Sequence, residues 1–392
     1  MAKTITVLVG TRKGAFFLRS NDSRKTWQLS EPTYLGHIVY HLVADPRDPK
    51  HLVMCTKAGH LGPTVYYSED GGQSWSESST PPQFPKQQGA EEAKAAEAGE
   101  SKPNEKNGKK ARVVESVFWL SPGHASDPGT WYVGTNPPGI FVSKDHGKTW
   151  QPMTGFNEHP MYSKWTEMGE TPGGQLLHSI NIDPRDKNHI YCGISVGGVF
   201  ESTDGGADWK PLNKGCAADF MPDEDADFGH DPHCLVMHPK NPDRIYQQNH
   251  CGIYRMDRPS NEWIRIGKNM PKEIGDIGFP IVVDPNNADK AWVFPMDGSD
   301  VWPRTSPGGK PAVYVTSNAG ESWERQDKGL PPEKAYFTVK RQAMCGDAEQ
   351  PFGLYFGTSQ GEVWASADEG ENWSCIVRYL PEIFSLSIVA SD

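Results

Sequence analysis

One octapeptide recurs along this chain, and it constrains the fold more than any other feature. Its pattern is Ser-x-Asp-x-Gly-x-x-Trp, and the near-complete copies are Ser68 to Trp75, Ser143 to Trp150, Ser202 to Trp209 and Ser366 to Trp373. The Asp side chain can accept backbone N–H groups across a tight turn, where Gly tolerates a positive φ. The Trp would then pack against neighbouring strands. We therefore interpret these residues as structural rather than catalytic.

Three weaker copies bring the number of octapeptide repeats, which we call boxes, to seven. Ser20 to Trp27 has Arg24 where Gly is expected, Thr316 to Trp323 has Asn318 in place of Asp, and Met256 to Trp263 keeps only the Trp. The seven Trp residues are separated by 48, 75, 59, 54, 60 and 50 residues. Such a period is typical of propellers and other repeat folds, with insertions in some of the repeats.

The sequence around each box predicts four strands, A to D, with the box between C and D. An apolar strand ends at an Asp-Pro-type turn such as Asp183-Pro184, and two further short strands follow before the box. Four antiparallel strands per repeat make a propeller blade. The first blade lacks strand A, and Glu382 to Ala390 supplies it, which closes the ring. We predict an all-β fold, a single seven-bladed β-propeller domain over residues 1–392.

This octapeptide is similar to the Asp-box, or BNR repeat, of sialidases and of glycosyl-hydrolase-like propellers. The resemblance covers essentially the whole chain, and it implies a propeller scaffold with a hydrolase-like ligand site. A true sialidase would also hold its substrate carboxylate with three arginines and use a tyrosine–glutamate nucleophile. The early strand motif that supplies the first arginine is absent, so the resemblance does not extend to sialidase activity.

Charge, apolar runs and cysteines restrict the partners and the compartment. The chain has 39 Lys and Arg against 50 Asp and Glu, a net charge of −11, so we expect neither nucleic acid nor a membrane as partner. The N-terminus lacks the pattern of a signal peptide, and no apolar run is long enough to span a membrane. Seven irregularly spaced cysteines suggest free thiols. We therefore expect a cytoplasmic protein.

Irregular segments concentrate on the face that carries the D–A and B–C loops, where function is expected. The insertion at 82–112 is of low complexity, and we predict that it is mobile. The insertions at 154–177 and 213–233 and the loop from Asp297 to Pro311 are rich in polar, aromatic and acidic residues.

Candidate site residues follow from this placement. His178 and His233 each lie five residues before the turn that ends strand A, His41 lies one residue off that register, and His250 opens the next B–C loop. We predict catalytic roles for Glu115, Asp297, His178 and His233. The predicted ligand-binding residues are His41, Arg12, His250, Asp300, Trp302, Arg304 and Glu167. The carboxylates considered for a glycosidase pair also include Asp231 and Glu170, while Arg341 is a further arginine near this face.

Three functions stay open on the sequence alone. The first is a glycosyl-hydrolase-like protein that binds or hydrolyses a small molecule or glycan at the mouth of the channel, with a pair of carboxyls as acid and base. The second is a non-catalytic propeller that binds a ligand or a protein partner. The third is a metal-dependent enzyme in which His41, His178, His233 and His250 hold a divalent transition metal.

Overall fold

A computed structural model describes residues 4–21, 23–85, 112–166, 174–223, 226–298 and 304–391. The strands of these residues form seven antiparallel sheets of four strands each, which confirms the predicted seven-bladed propeller. Most of the insertion predicted at 82–112 lies outside the described residues.

Each blade is one sheet that runs from an innermost strand A to an outermost strand D. Blade 1 consists of β28 (Ile383–Ser391), β1 (Thr4–Thr11), β2 (Gly14–Asn21) and β3 (Gln28–Leu29). Blade 2 consists of β4 (Ile38–Asp45), β5 (Asp48–Ala58), β6 (Gly62–Ser68) and β7 (Ser76–Glu77). Blade 3 consists of β8 (Ser116–Pro122), β9 (Trp131–Asn136), β10 (Ile140–Ser143) and β11 (Gln151–Pro152). Blade 4 consists of β12 (Leu177–Asp183), β13 (Asp186–Ile194), β14 (Gly198–Ser202) and β15 (Lys210–Pro211).

The remaining three blades follow the same order. Blade 5 consists of β16 (Pro232–Met237), β17 (Arg244–Asn249), β18 (Gly252–Asp257) and β19 (Ile264–Arg265). Blade 6 consists of β20 (Gly278–Asp284), β21 (Asn287–Pro295), β22 (Val313–Thr316) and β23 (Glu324–Gln326). Blade 7 consists of β24 (Met344–Gly346), β25 (Leu354–Gly357), β26 (Val363–Ser366) and β27 (Ser374–Val377).

Little of the described chain is helical. Two short α-helices, Thr154–Asn157 and Tyr162–Thr166, and two 3-10 turns, Gly267–Asn269 and Pro307–Gly309, lie in loops of the described part. None of the described helices is long and apolar enough to cross a membrane. All seven cysteines are among the described residues, and they are free thiols, as predicted.

The ring closes by pairing β28 with β1. The two strands are antiparallel, with Val9 opposite Leu386 and Thr11 opposite Ile383. This pairing confirms the closure predicted from the sequence, and it covers the edge that β1 would otherwise expose.

The Asp-boxes form the predicted turns. In blade 2, one carboxylate oxygen of Asp70 accepts the N–H groups of Gln73 and Ser74, both at 2.9 Å. The Gly72 N–H donates to the Ser68 hydroxyl at 2.9 Å, and the Trp75 indole N–H donates to the Gly72 carbonyl at 3.2 Å. Asp145, Asp204 and Asp368 accept backbone N–H groups in the same way. Hydrogen bonds from Ser74 lower the pKa of Asp70 to about 2.

The box tryptophans help to fill the core between successive blades. Trp150 of blade 3 belongs to one buried cluster with Phe141 of its own blade and with Val53 and Val65 of blade 2. Each box therefore fixes its own hairpin and also the contact to the preceding blade.

The weak first box is held differently. Arg24 has a φ of 54°, in the region that favours Gly. Its guanidinium lies 3.1 Å from the Asp347 carboxylate, and these side chains are 6 % and 0 % exposed. It also donates to the carbonyls of Pro351 and Ala367, at 2.9 and 3.2 Å. A buried ion pair thus joins blade 1 to blade 7, beside the closure of the ring.

In six of the seven blades the innermost strand has a β-bulge near its start. At each bulge one or two residues of strand A are left out of the hydrogen-bond ladder. These residues are Phe384, Tyr40, Phe118, Ser179–Ile180, His233 and Phe279–Pro280. A bulge re-aims the side chain that is left out of the ladder. Such positions can direct side chains toward the axis of the ring, whereas Ser179 accepts the Leu235 N–H of blade 5 at 3.0 Å.

Candidate functional site at the channel mouth

Three side chains of blade 5 that could bind a metal ion meet on the face of the D–A and B–C loops. The Oδ2 atom of Asp231 lies 3.4 Å from the Nε2 atom of His233 and 3.5 Å from the Nδ1 atom of His250. One donor atom from each residue lies within 4.8 Å of the other two. The side chains of Asp231 and His250 are 15 % and 36 % exposed, so solvent reaches the group.

The backbone and neighbouring blades hold each member of this group. His233 is the bulged residue of β16, and its Nδ1–H donates to the Gly278 carbonyl of blade 6 at 2.6 Å. Asp231 Oδ1 accepts the Val196 N–H from blade 4 at 3.1 Å. The His250 backbone N–H, at the turn between β17 and β18, donates to the Asp231 carbonyl at 2.9 Å. Contacts from blades 4 and 6 therefore fix the positions of side chains that all belong to blade 5.

Arg341 lies in the central channel beside this group. Its guanidinium donates to the Ser195 hydroxyl of blade 4 at 3.0 Å. It also lies 5.5 Å from the ring centres of both Phe118, in blade 3, and Phe279, in blade 6. Only the channel brings these non-adjacent blades together. Burial lowers the pKa of Arg341 to about 10, so the group remains charged at neutral pH.

The charges of the group depend on one another. Burial alone would raise the pKa of Asp231, but the charges of His233, His250 and Arg341 outweigh it and hold the pKa at about 2. Burial lowers the pKa of His250 and the neighbouring His233 and Arg304 lower it further, which outweighs the opposite effect of the Asp231 carboxylate. At neutral pH the site therefore holds an ionised carboxylate beside a neutral His250 imidazole.

Bulged aromatic residues line the rest of the channel. Tyr40 lies 5.5 Å from Phe384 and 6.0 Å from Phe118, and Phe279 lies 4.7 Å from His233, measured between ring centres. Tyr40, Phe118, Phe279 and Phe384 are all half-buried. We call these four residues the aromatic ring of the channel.

A second group of charged side chains lies beside Phe384, on the other side of the aromatic ring of the channel. The Lys340 ammonium lies 4.0 Å above the ring of Phe384 and 2.7 Å from the Glu382 carboxylate. Glu382 also pairs with the exposed guanidinium of Arg12 at 3.4 Å. This placement brings Arg12, which the sequence predicted as a ligand-binding residue, to the rim of the channel.

Two of the four predicted histidine ligands lie together, and the other two serve the framework. The Nδ1 atom of His41 accepts the Leu120 N–H at 3.0 Å, and burial lowers its pKa to about 3. Both ring nitrogens of His178 have partners, the Ser179 hydroxyl at 2.8 Å and the Pro232 carbonyl at 3.0 Å. Neither belongs to the group formed by Asp231, His233 and His250.

The other predicted residues are distributed around the same face. Glu115 is exposed just before β8. The Asp297 N–H donates to the Thr305 carbonyl at 2.7 Å, and Arg304 approaches the Asp297 carbonyl at 3.5 Å. Arg304 is also close enough to lower the pKa of His250. Asp300, Trp302 and Glu167 lie outside the described residues. The roles assigned to all of these residues stay predictions.

The candidate list missed the aromatic ring, and it did not place Asp231 and Arg341 at its centre. A signal for two of the aromatic residues was present. Counting five residues back from the Asp-Pro turns at Asp45 and Asp284 leads to Tyr40 and Phe279, the same offset that selected His233. Arg341 has no such signal because its position depends on blades 3, 4 and 6.

The fold and its turns define an Asp-box, or BNR-repeat, seven-bladed β-propeller. The family model described as BNR/Asp-box repeat matches residues 66–77 and 141–152. Among curated proteins, the chain is similar to a xyloglucanase of a Paenibacillus species, with 24 % identity over 247 residues, which are 55 % of this chain and 23 % of that protein. The matched part thus spans about a quarter of that relative.

Solved structures show the same architecture. The GH74 enzyme of Niastella koreensis is 16 % identical with a TM-score of 0.62, over 94 % of this chain and 51 % of that one. The GH74 xyloglucanase of Xanthomonas campestris is 15 % identical with a TM-score of 0.61, over 95 % and 52 %. At these identities the likeness shows the fold, and this chain corresponds to about half of each enzyme.

Proposed function

We propose that this chain binds a glycan or another small hydroxylated molecule at the channel mouth and acts on it as a hydrolase. One observation carries the proposal: four half-buried aromatic side chains lie around the axis of the propeller, with Arg341 and the ionised Asp231 close to them. Binding sites for small molecules are typically concave and mainly apolar, with a few convergent polar groups. The similarity to a xyloglucanase supports a glycan as the ligand.

The aromatic ring of the channel and the polar groups would contact different parts of a bound sugar. Sugar rings present apolar C–H faces that pack on aromatic side chains, while their hydroxyls need hydrogen-bond partners. Asp231 offers an acceptor, and Arg341 offers donors beside it. Hydrolysis of a glycosidic bond needs a pair of carboxyls, and Asp297 and Glu115 stay the predicted members of that pair. The cytoplasmic location also stays a prediction.

A glycan panel tests the proposal. Xyloglucan oligosaccharides and simple disaccharides are titrated against the protein by calorimetry, and released reducing sugar is measured in parallel. We expect at least one member to bind, and Phe279→Ala to weaken that binding about tenfold, roughly 1.4 kcal/mol, because a stacking surface is lost. The matched control is Tyr379→Ala, which removes a side chain that is 94 % exposed.

The outcomes separate the functions that the sequence left open. Binding with product release supports the hydrolase, whereas binding without release identifies a non-catalytic binding propeller. If no glycan in the panel binds, or if Tyr379→Ala weakens binding as much as Phe279→Ala does, the proposed site is wrong.

A further inference from the structure

Two of the three distances within the group of Asp231, His233 and His250 match those of ligands around one metal ion. Bonds from zinc to imidazole nitrogen or carboxylate oxygen are about 2.0–2.2 Å long, so two ligands at a tetrahedral angle lie roughly 3.4 Å apart. The Asp231 oxygen lies 3.4 Å from His233 Nε2 and 3.5 Å from His250 Nδ1. All three donor atoms lie within 4.8 Å of one another.

The hydrogen bonds of His233 set which of its nitrogens is available. Because Nδ1–H donates to the Gly278 carbonyl at 2.6 Å, the Nε2 atom of the neutral ring carries a lone pair. That lone pair faces the Asp231 carboxylate, which is another acceptor. Two acceptors this close repel unless a proton or a metal cation lies between them. Histidines that bind metals usually donate their other ring N–H to a carbonyl or carboxylate in this way.

The remaining contacts orient the other two side chains. The second oxygen of Asp231 accepts the Val196 N–H at 3.1 Å, which leaves Oδ2 turned toward the histidines. The ring of Phe220 lies 5.7 Å from that of His250, in an edge-to-face contact. The Arg341 charge nearby acts against a cation, but the ionised Asp231 offsets it. Two imidazoles and one carboxylate are donors that suit zinc, iron, copper or nickel.

We propose that Asp231 Oδ2, His233 Nε2 and His250 Nδ1 bind one divalent first-row transition metal at the channel mouth. Three protein ligands leave at least one coordination position for water or for an oxygen of the ligand, as in catalytic metal sites. His41 and His178, which the sequence grouped with these histidines, take no part. This inference does not depend on the proposed glycan function, since the metal binds without the glycan.

Metal titration of the untagged protein tests the site. The protein is purified without an affinity tag, stripped with a chelator and dialysed, and ZnCl₂ is titrated by calorimetry. We expect one zinc per chain and a rise in melting temperature with zinc concentration, because the metal binds the folded state. Cobalt(II) provides a second readout, since its visible spectrum reports imidazole ligation.

Two variants and one control locate the metal. We expect Asp231→Asn and His250→Ala each to weaken zinc binding at least tenfold, and to abolish the effect of zinc on the melting temperature. The matched control is His60→Ala, because His60 is an exposed histidine of another B–C loop. Circular dichroism of the metal-free variants checks that they fold.

Two results would overturn the proposal. The first is a wild-type protein that binds no stoichiometric zinc or cobalt, in which case a shared proton occupies the point between the three side chains. The second is a folded His250→Ala variant that binds the metal as tightly as the wild type.

Discussion

The carboxylates of the Asp-boxes and the charged groups of the channel mouth, on opposite faces of the propeller, are held in opposite ways. Each box carboxylate among the described residues accepts N–H groups from its own octapeptide, as Asp70 does from Gln73 and Ser74. At the channel mouth, Asp231 depends on Val196 of the preceding blade, and Arg341 depends on Ser195 across the channel. The difference shows that local bonds hold the box turns, while contacts between blades make the site.

The first box differs from the near-complete boxes. Arg24 occupies the position of the missing Gly, and its partner Asp347 belongs to blade 7. Tyr355 also donates to Asp347, at 2.8 Å. A contact between blades is thus added to the local bond that the Trp27 indole N–H donates to the Arg24 carbonyl at 3.2 Å, at the place where the ring closes.

The largest effect is expected from breaking this ion pair. Arg24→Met leaves the fully buried Asp347 carboxylate without its cation, and breaking a buried pair typically costs about 3–5 kcal/mol. Urea unfolding should show this loss of free energy of unfolding. The matched control is Arg19→Met on the exposed side of β2, which should change stability by about 0.5 kcal/mol or less.

The double variant Arg24→Met/Asp347→Asn sharpens the result. It replaces the unpaired Asp347 carboxylate by a neutral amide and should recover part of the lost free energy of unfolding. An Arg24→Met protein as stable as the wild type would show that the first box, like the others, is held locally.

The two faces should also respond to acid in different pH ranges. The pKa of His41 falls from 6.5 to about 3 on burial, so lowering the pH below 6.5 protonates the unfolded chain first and destabilises the fold until pH 3. Box carboxylates such as Asp70 have depressed pKa values, so their contribution is present above pH 4 and is lost only as the pH falls toward 2. The two windows overlap little.

The variant His41→Gln tests the loss of stability between pH 6.5 and pH 3. It removes the titration and retains an acceptor for the Leu120 N–H, so the loss of stability between pH 6 and 4 should become shallower, by at most about 1.4 kcal/mol per pH unit. Urea midpoints measured across this range report the slope, and His60→Gln is the exposed control. An unchanged slope in His41→Gln would mean that His41 is not the titrating group.

The smallest effect is expected from a single box hydroxyl. Ser143 donates to Asp145 at 2.7 Å and accepts the Gly147 N–H at 2.9 Å. Ser143→Ala should therefore cost about 1–2 kcal/mol of unfolding free energy, without any change in zinc or glycan binding. Ser317→Ala, an exposed serine, is its control. A Ser143→Ala protein with altered zinc binding would contradict the separation of the two faces.

The sequence predicted the ring because its signals repeat and are local. The boxes, the Asp-Pro turns and the closing strand are each contained in a short segment, and the structure confirms all three. The candidate site was predicted less completely from the sequence. The bulge at Tyr40 directs that residue to the channel, while His41 bonds to Leu120 of the next blade. A shift of one residue reverses the face of a strand, and periodicity alone does not reveal a bulge.

The bulges have a consequence for how such proteins can diversify. Each one holds a residue outside the hydrogen-bond ladder, so its side chain can change while the pairing of the sheet does not. Six bulged positions around one axis can therefore differ in residue type, and in this chain their leading residues are phenylalanine, tyrosine, serine and histidine. A lineage built on this scaffold could exchange these occupants one at a time and acquire new ligands without rebuilding the ring.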